Sequence, residues 1–265
     1  MVWIYGLPSW VFGPLAVAAL CVLAAAGLFY ARRHVLRNDE ITHNDVAGPI
    51  LGTIGTLLAV MLSFMVVAVW QEYDASANTV EREASAASDL HHLADLLAQP
   101  TRNRLKAEVD RYMTVVIHDD FPAMQRGQSS SRARDASYRI YQIVAGFKPA
   151  SPGQTQLQGE ALDLAHVLTD ARRQRLHDNR TGIPMILWAT MFFLGALTVV
   201  FSYFFRIENV TAHFLMTLAL TAVIGVMLVL IAELDYPFRG DTAIGPQAIV
   251  EAYARTHDRD VTSRY

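Results

Sequence analysis

The stretch VAGPILGTIGTLLAVMLSFMVVAVWQ, residues 46–71, contains no Lys, Arg, Asp or Glu and decides how the chain is read. As a helix at 1.5 Å per residue it extends about 39 Å, more than the roughly 30 Å of a bilayer's hydrocarbon core. Three more stretches, Met1–Ala31, Thr181–Phe205 and Asn209–Ala232, are equally free of charge, so every charged side chain lies outside these four segments. With 52% hydrophobic and 18% charged residues, the chain reads as a membrane protein with four spans, which excludes a secreted or purely cytosolic enzyme. The first span is not a signal peptide: it lacks a basic leader, and its apolar run from Trp10 to Ala31 exceeds the roughly 7–15 residues of such a segment.

The spans pair as 10–31 with 47–70 and 184–205 with 210–234. The domain boundaries follow as 1–70 for spans one and two, 71–183 for an inserted domain, 184–234 for spans three and four, and 235–265 for a C-terminal tail. The insert carries 14 basic and 15 acidic residues, the balance of a folded soluble domain. Its apolar positions recur with a helical period: Leu90, Leu93, Leu96 and Leu97; Leu105, Val109, Tyr112, Met113, Val116 and Ile117; Ile140, Ile143, Val144 and Phe147; Leu157, Ala161, Leu164, Ala165 and Leu168. Breaks fall at Pro100, Phe121-Pro122, Gly127–Ser131 and Lys148–Gly153, giving four amphipathic helices and no strand. Between Val46 and Gln99 the only Gly and Pro residues are Gly48, Pro49, Gly52 and Gly55, all near the start. Nothing stops span two from continuing into the insert as one helix of about 75 Å. The expected fold is all-α, four transmembrane helices with a helical extramembrane domain between spans two and three.

Several motifs resemble the bestrophin-like family of bacterial membrane proteins. They are Asn44-Asp45-Val46-Ala47-Gly48, Trp70-Gln71-Glu72-Tyr73, Val80-Glu81-Arg82-Glu83-Ala84, and Tyr112 followed by Asp120-Phe121-Pro122-Ala123-Met124 and Gly127. Further along come Ile183-Pro184, Leu234-Asp235-Tyr236-Pro237-Phe238-Arg239-Gly240 and Gly245-Pro246. The resemblance covers about residues 44–250. It implies a relative of bestrophins, which are oligomeric anion channels with four spans per subunit and helices extended beyond the membrane. A fold analogy does not fix function.

Span two offers the most specific site. At 100° per residue, Gly52, Thr56, Ala59, Ser63, Val66 and Trp70 fall on one line, which Asp74, Ala77 and Glu81 continue past the membrane. Small residues at this spacing suit close helix packing, as Gly48-x-x-x-Gly52 does. The functional reading is a path-lining face in an oligomer, with Thr56 and Ser63 supplying hydroxyls and with rings of Asp74 and Glu81 at the mouth favouring cations. That sign opposes the anion analogy. Glu72 and Glu83 point nearly the opposite way, and for the whole charge cluster the plain alternative is a solvated helix face. Glu233, Asp235 and Arg239 form a second candidate group at the edge of span four, where a local turn could pair Asp235 with Arg239.

No metal or cofactor is expected. The histidines include no His-x-x-x-His pair, His213 is alone within a span, and the single cysteine, Cys21, offers neither disulfide nor thiol metal site. Signatures of enzymes are missing, with no Walker loop, Gly-x-Ser-x-Gly, His-Glu-x-x-His or dinucleotide fingerprint. A net charge of −3 without a basic, aromatic face speaks against nucleic acid. Arg32, Arg33 and Arg37 in the first short loop and Arg206 in the second put those loops inside and the insert outside by the positive-inside rule, whereas bestrophins hold the corresponding region in the cytosol. The expectation is a non-enzymatic, homo-oligomeric ion channel of the bacterial inner membrane, its partners the lipid bilayer and inorganic ions. The alternative is a membrane-anchored sensor or scaffold whose helical domain binds a ligand or partner without ion flux.

Overall fold

The computed structural model describes residues 8–34, 44–205 and 207–262, which leaves Arg37 and Arg206 outside the described residues. Among the described residues nine α-helices follow in chain order: α1 Ser9–His34, α2 Asn44–Leu93, α3 Thr101–Val115, α4 Phe121–Gln125, α5 Ser131–Ala145, α6 Pro152–Asp178, α7 Met185–Ser202, α8 Val210–Leu234 and α9 Gln247–Thr262. Among the described residues there is no strand. Four helices, α1, α2, α7 and α8, are long and apolar enough to cross a membrane, and α2 runs unbroken for 50 residues. Local chemistry sets the helix starts. Ser151 accepts the Gln154 N–H at 3.3 Å ahead of Pro152, and Asn209 accepts that of Ala212 at 3.1 Å.

The chain divides into two compact units, one of Met1–Glu72 with Gly182–Asp235 and the other of Tyr73–Thr181 with Tyr236–Tyr265. In the first, Leu58, Leu62, Met65 and Val69 form a ridge of α2 packed with Met191 of α7 and Ile224, Leu228 and Ile231 of α8. Helices α1 and α8 approach closely because glycines face partner side chains: a Cβ on Gly225 would stand 3.3 Å from Leu20, and one on Gly13 3.3 Å from Val229. At the far end of this helix group Arg32 donates to His213 Nδ1 at 3.0 Å. Because an arginine can only donate, Nδ1 is the acceptor there, and Nε2 reaches the Ser202 carbonyl at 3.2 Å. The one histidine within a span thus ties α1 to α7 and α8.

The second unit is built round a buried charge cluster. Glu83 of α2, Asp120, and Arg175 of α6 are fully buried, and Arg172 nearly so. Arg175 grips Glu83 with two nitrogens, Nε to Oε2 at 2.6 Å and Nη2 to Oε1 at 2.9 Å, and reaches Asp120 Oδ2 at 3.1 Å. Arg172 donates to both oxygens of Asp120 and to the Ser130 carbonyl, while the Ser130 N–H closes back on Asp120 at 2.7 Å. Two carboxylates face two guanidiniums, so the cluster is neutral and its lone pairs are used, the condition under which buried ions are tolerated. Burial opposes the charge on Arg175, yet Glu83 and Asp120 outweigh it and hold the guanidinium firmly protonated.

Asp120 reaches this centre from a π-helical turn, Val116–Asp120, between α3 and α4. The sequence marks Phe121-Pro122 as a break. Pro122 has no N–H to give the preceding turn, and the widened turn lets the chain pass through it without leaving helical conformation. Around the cluster, Leu90, Leu105, Val109, Met113, Ile140, Leu168 and their neighbours make an apolar core. The segment after Asp235, taken as a tail from sequence, belongs to this unit: Phe238, Ile249 and Ala252 are buried in the same core, and Phe238 meets Phe121 edge-on at 6.3 Å. On the 16-residue α9, Ile249 and Ala252 are buried, with Ala248 and Tyr253 partly buried beside them, an apolar face at helical spacing.

Glu83→Gln, isosteric but uncharged, should lower stability by about 3–5 kcal/mol because Arg175 loses half its countercharge. Glu81→Gln, exposed two positions earlier, should stay within about 0.5 kcal/mol. Denaturation midpoints of the two purified variants check this contrast, and equal midpoints would contradict it. Tyr112 donates to Glu83 at 2.6 Å; burial, then the Glu83 charge, push its phenol well above the ordinary 10.0. A raised folded value means its stabilisation is complete below about pH 10 and lost as the pH rises further, through the folded value. Tyr112→Phe should therefore flatten the alkaline fall in stability measured between pH 9 and pH 11 (about one unit either side of the free phenol's value).

Candidate functional site

A straight helical register gives α2 three faces. The ridge of Leu58, Leu62, Met65 and Val69 is buried in the first unit. About 110° away, by the 100° step, lies the stripe of Gly52, Thr56, Ala59, Ser63 and Trp70, and every one of these is exposed. On the third side Leu57, Val60, Phe64 and Val67 are exposed as well. A Cβ added at Gly48, Gly52 or Gly55 would meet nothing within 4 Å. Among the described residues the glycine spacing therefore serves no close packing, and Gly52, Thr56, Ala59 and Ser63 face outward as a strip of low relief beside bulky apolar side chains.

The stripe's hydroxyls are oriented by the helix itself. Thr56 donates to the Gly52 carbonyl at 2.8 Å and Ser63 to that of Ala59 at 2.8 Å. With each proton turned back to the backbone, the oxygen lone pairs are what the face presents outward. Further along α2, in the second unit, Asp74 and Glu81 are exposed, and Asp74 accepts from Asn78 one turn on at 3.2 Å. The sequence places Glu83 nearly opposite Asp74 and Glu81 around this helix. The structure gives it the buried pair with Arg175, and the signal for that lies 92 residues away.

Glu233, Asp235 and Arg239 do not form the pair that a local turn would make of the last two. Asp235 accepts the Ile183 N–H at 2.6 Å and the Trp188 indole at 3.4 Å, at the entry to α7. Arg239 donates to the carbonyl of Asn179, at the end of α6, and lies 4.4 Å over the Tyr236 ring. Each charge has taken the helix end of opposite polarity, an acid where N–H groups are unsatisfied and a base where carbonyls are. Glu233 is half-buried. Gly127 has φ of +74° and lies so close to the Arg239 guanidinium that a Cβ would stand 3.1 Å from Nη2, which accounts for a glycine there.

A family model described as a bestrophin-like domain matches residues 16–249. Among solved structures, a mutant of a bacterial bestrophin homologue from Klebsiella pneumoniae superposes with a TM-score of 0.68 at 13% identity, covering 91% of this chain and 97% of that one. Another crystal structure of the Klebsiella pneumoniae homologue, phased on zinc, gives 0.66 at 14% identity over 91% and 96%. At such identities the likeness speaks for the fold. No curated protein matches the sequence significantly.

Asp235→Ala leaves the Ile183 N–H and the Trp188 indole without their charged acceptor and should cost about 1.5–3 kcal/mol. The unfolding midpoint of the detergent-solubilised protein measures it, and an unchanged midpoint would mean that another acceptor replaces the carboxylate.

Proposed function

The chain belongs to the bestrophin-like family, and from that premise we propose that it assembles as a homo-oligomeric ion channel in the bacterial inner membrane, with α2 lining the path. The observation that carries the reading is the outward stripe of Gly52, Thr56, Ala59, Ser63 and Trp70, which the chain's own packing leaves uncovered. One subunit of four spans encloses little polar space, so the path needs several subunits around an axis. Turned toward that axis, Gly52, Thr56, Ala59 and Ser63 supply small side chains for width and two hydroxyl oxygens for passing ions, with the bulky Trp70 at the end of the stripe.

The path favours cations. Outward lone pairs on Thr56 and Ser63 suit a cation directly, whereas an anion would require each hydroxyl to give up its bond to the backbone. Asp74 and Glu81, exposed on the continuing line of the same helix, form rings of negative charge once repeated by symmetry. This departs from the anion conductance implied by the name of the wider family, and it follows from the charges of this chain.

Purified protein in liposomes under a KCl gradient should show a current reversing near the potassium potential. Asp74→Asn with Glu81→Gln should move the reversal toward the chloride potential while leaving the unfolding midpoint unchanged. A wild-type reversal near chloride would refute cation preference, and silence across voltage, pH and calcium would favour a membrane-anchored sensor.

A further inference from the structure

We propose that the second unit carries the two halves of a head-to-tail contact between copies of this chain, a basic, tyrosine-lined cleft on one flank of α6 and an acidic cleft on the other. The inference rests on the oligomeric reading above and specifies which surfaces meet. The first cleft, about 440 Å³, lies between α5 and α6, lined by Arg134, Tyr138, Tyr141, His166, Asp170 and Arg173 among others. The second, also about 440 Å³, lies between α2 and α6, lined by Glu81, Arg82, Asp89, Leu164 and Val167 among others. Val167 and Arg173 are six residues apart, which sets the two flanks about 120° apart around α6.

Three features point to a second copy as the occupant. The first is charge. Arg134 and Arg173 are more than 70% exposed and held only by exposed Asp135 and Asp170 at 3.4 and 3.3 Å, pairs too solvated to contribute much locally. Arg172, which also lines that cleft, is already neutralised by Asp120. The basic flank therefore has donors to offer outward. Across α6, Glu81 and Asp89 outnumber Arg82, whose guanidinium lies back along α2 on Thr79 at 3.1 Å. The second is shape: Tyr138 stands 63% exposed at the first cleft and Val167 47% exposed at the second, each an apolar projection beside a concavity. Aromatic residues with arginine are what buried contacts use, and charges of opposite sign fix register.

The third is symmetry. A face that met its own copy would set arginine against arginine or acid against acid. Two unlike faces at an angle meet heterologously, and such contacts close into a ring when repeated by rotation. A ring is what a path lined by α2 requires. On α2 itself Asp89 lies about 80° round from Glu81, so the contact is centred beside the path-facing line and meets it only at Glu81, which lines the acidic cleft.

The test uses full-length chains with Cys21→Ala, one carrying Asp89→Cys and the other Arg173→Cys, purified singly and co-expressed, and treated with a short bis-maleimide; oligomer mass is read in parallel. Cross-linked dimers containing one chain of each kind, with little product from either chain alone, are expected. Efficient cross-linking of Asp89→Cys chains to themselves would overturn the proposal in favour of a two-fold contact. An oligomer of unchanged mass with no cross-link in any mixture would overturn it too, since other surfaces would then hold the subunits. A monomeric chain would refute the oligomeric reading and this inference with it. As a second measurement, Asp89→Arg should make the oligomer dissociate at about ten-fold higher protein concentration, and adding Arg173→Asp should recover most of that shift (a ten-fold change in an equilibrium constant corresponds to about 1.4 kcal/mol). No recovery would speak against these two residues meeting.

Discussion

The helical register of α2 decides, within each unit, which of its side chains enter the core and which face outward, and the rest of the structure depends on it. In the first unit that register buries Leu58, Leu62, Met65 and Val69 and leaves Thr56 and Ser63 exposed. In the second it buries Ser76, Val80, Glu83 and Ala87 and leaves Asp74 and Glu81 exposed. The absence of Gly and Pro after Gly55 is what makes the register hold.

Electrostatics is handled differently in the two units. In the second, Glu83, Asp120, Arg172 and Arg175 meet in a neutral, fully bonded cluster that joins α2, α6 and the π-helical turn. Such a cluster contributes less to net stability than apolar packing of the same volume, yet any one charge removed leaves its partner stranded. It therefore penalises misregistered packing of α2 against α6 more than it stabilises the correct one. In the first unit ions stay near helix ends, Asp235 at the entry to α7 and Arg32 on His213. The apolar middle of that unit is left to side-chain packing and glycine contacts.

The spans were legible because charge is forbidden across about 20 residues, a signal that needs no partner. The helices of the insert are legible from periodic Leu and Val, and the exposed stripe of α2 from small residues at helical spacing. What stayed hidden depends on partners far along the chain. Glu83 and Arg175 use the same residue types as exposed Glu81 and Arg173, and only the fold separates them. The C-terminal segment reads as a tail although Ala248, Ile249, Ala252 and Tyr253 recur at helical spacing, because the core that receives them is built by residues far earlier in the chain. The Asp235 and Arg239 roles follow from helix ends, whose polarity is known in advance but whose neighbours are not.

The account stands or falls on whether the stripe of α2 faces the ion path. In a Cys21→Ala background, single cysteines at Leu57, Ser63, Phe64 and Thr56 can be exposed to a small cationic methanethiosulfonate during current recording. Rapid block at Thr56 and Ser63, with little effect at Leu57 and Phe64, is the result the account predicts. Block at Leu57 and Phe64 while Thr56 and Ser63 remain silent would turn α2 by about 100° and contradict it.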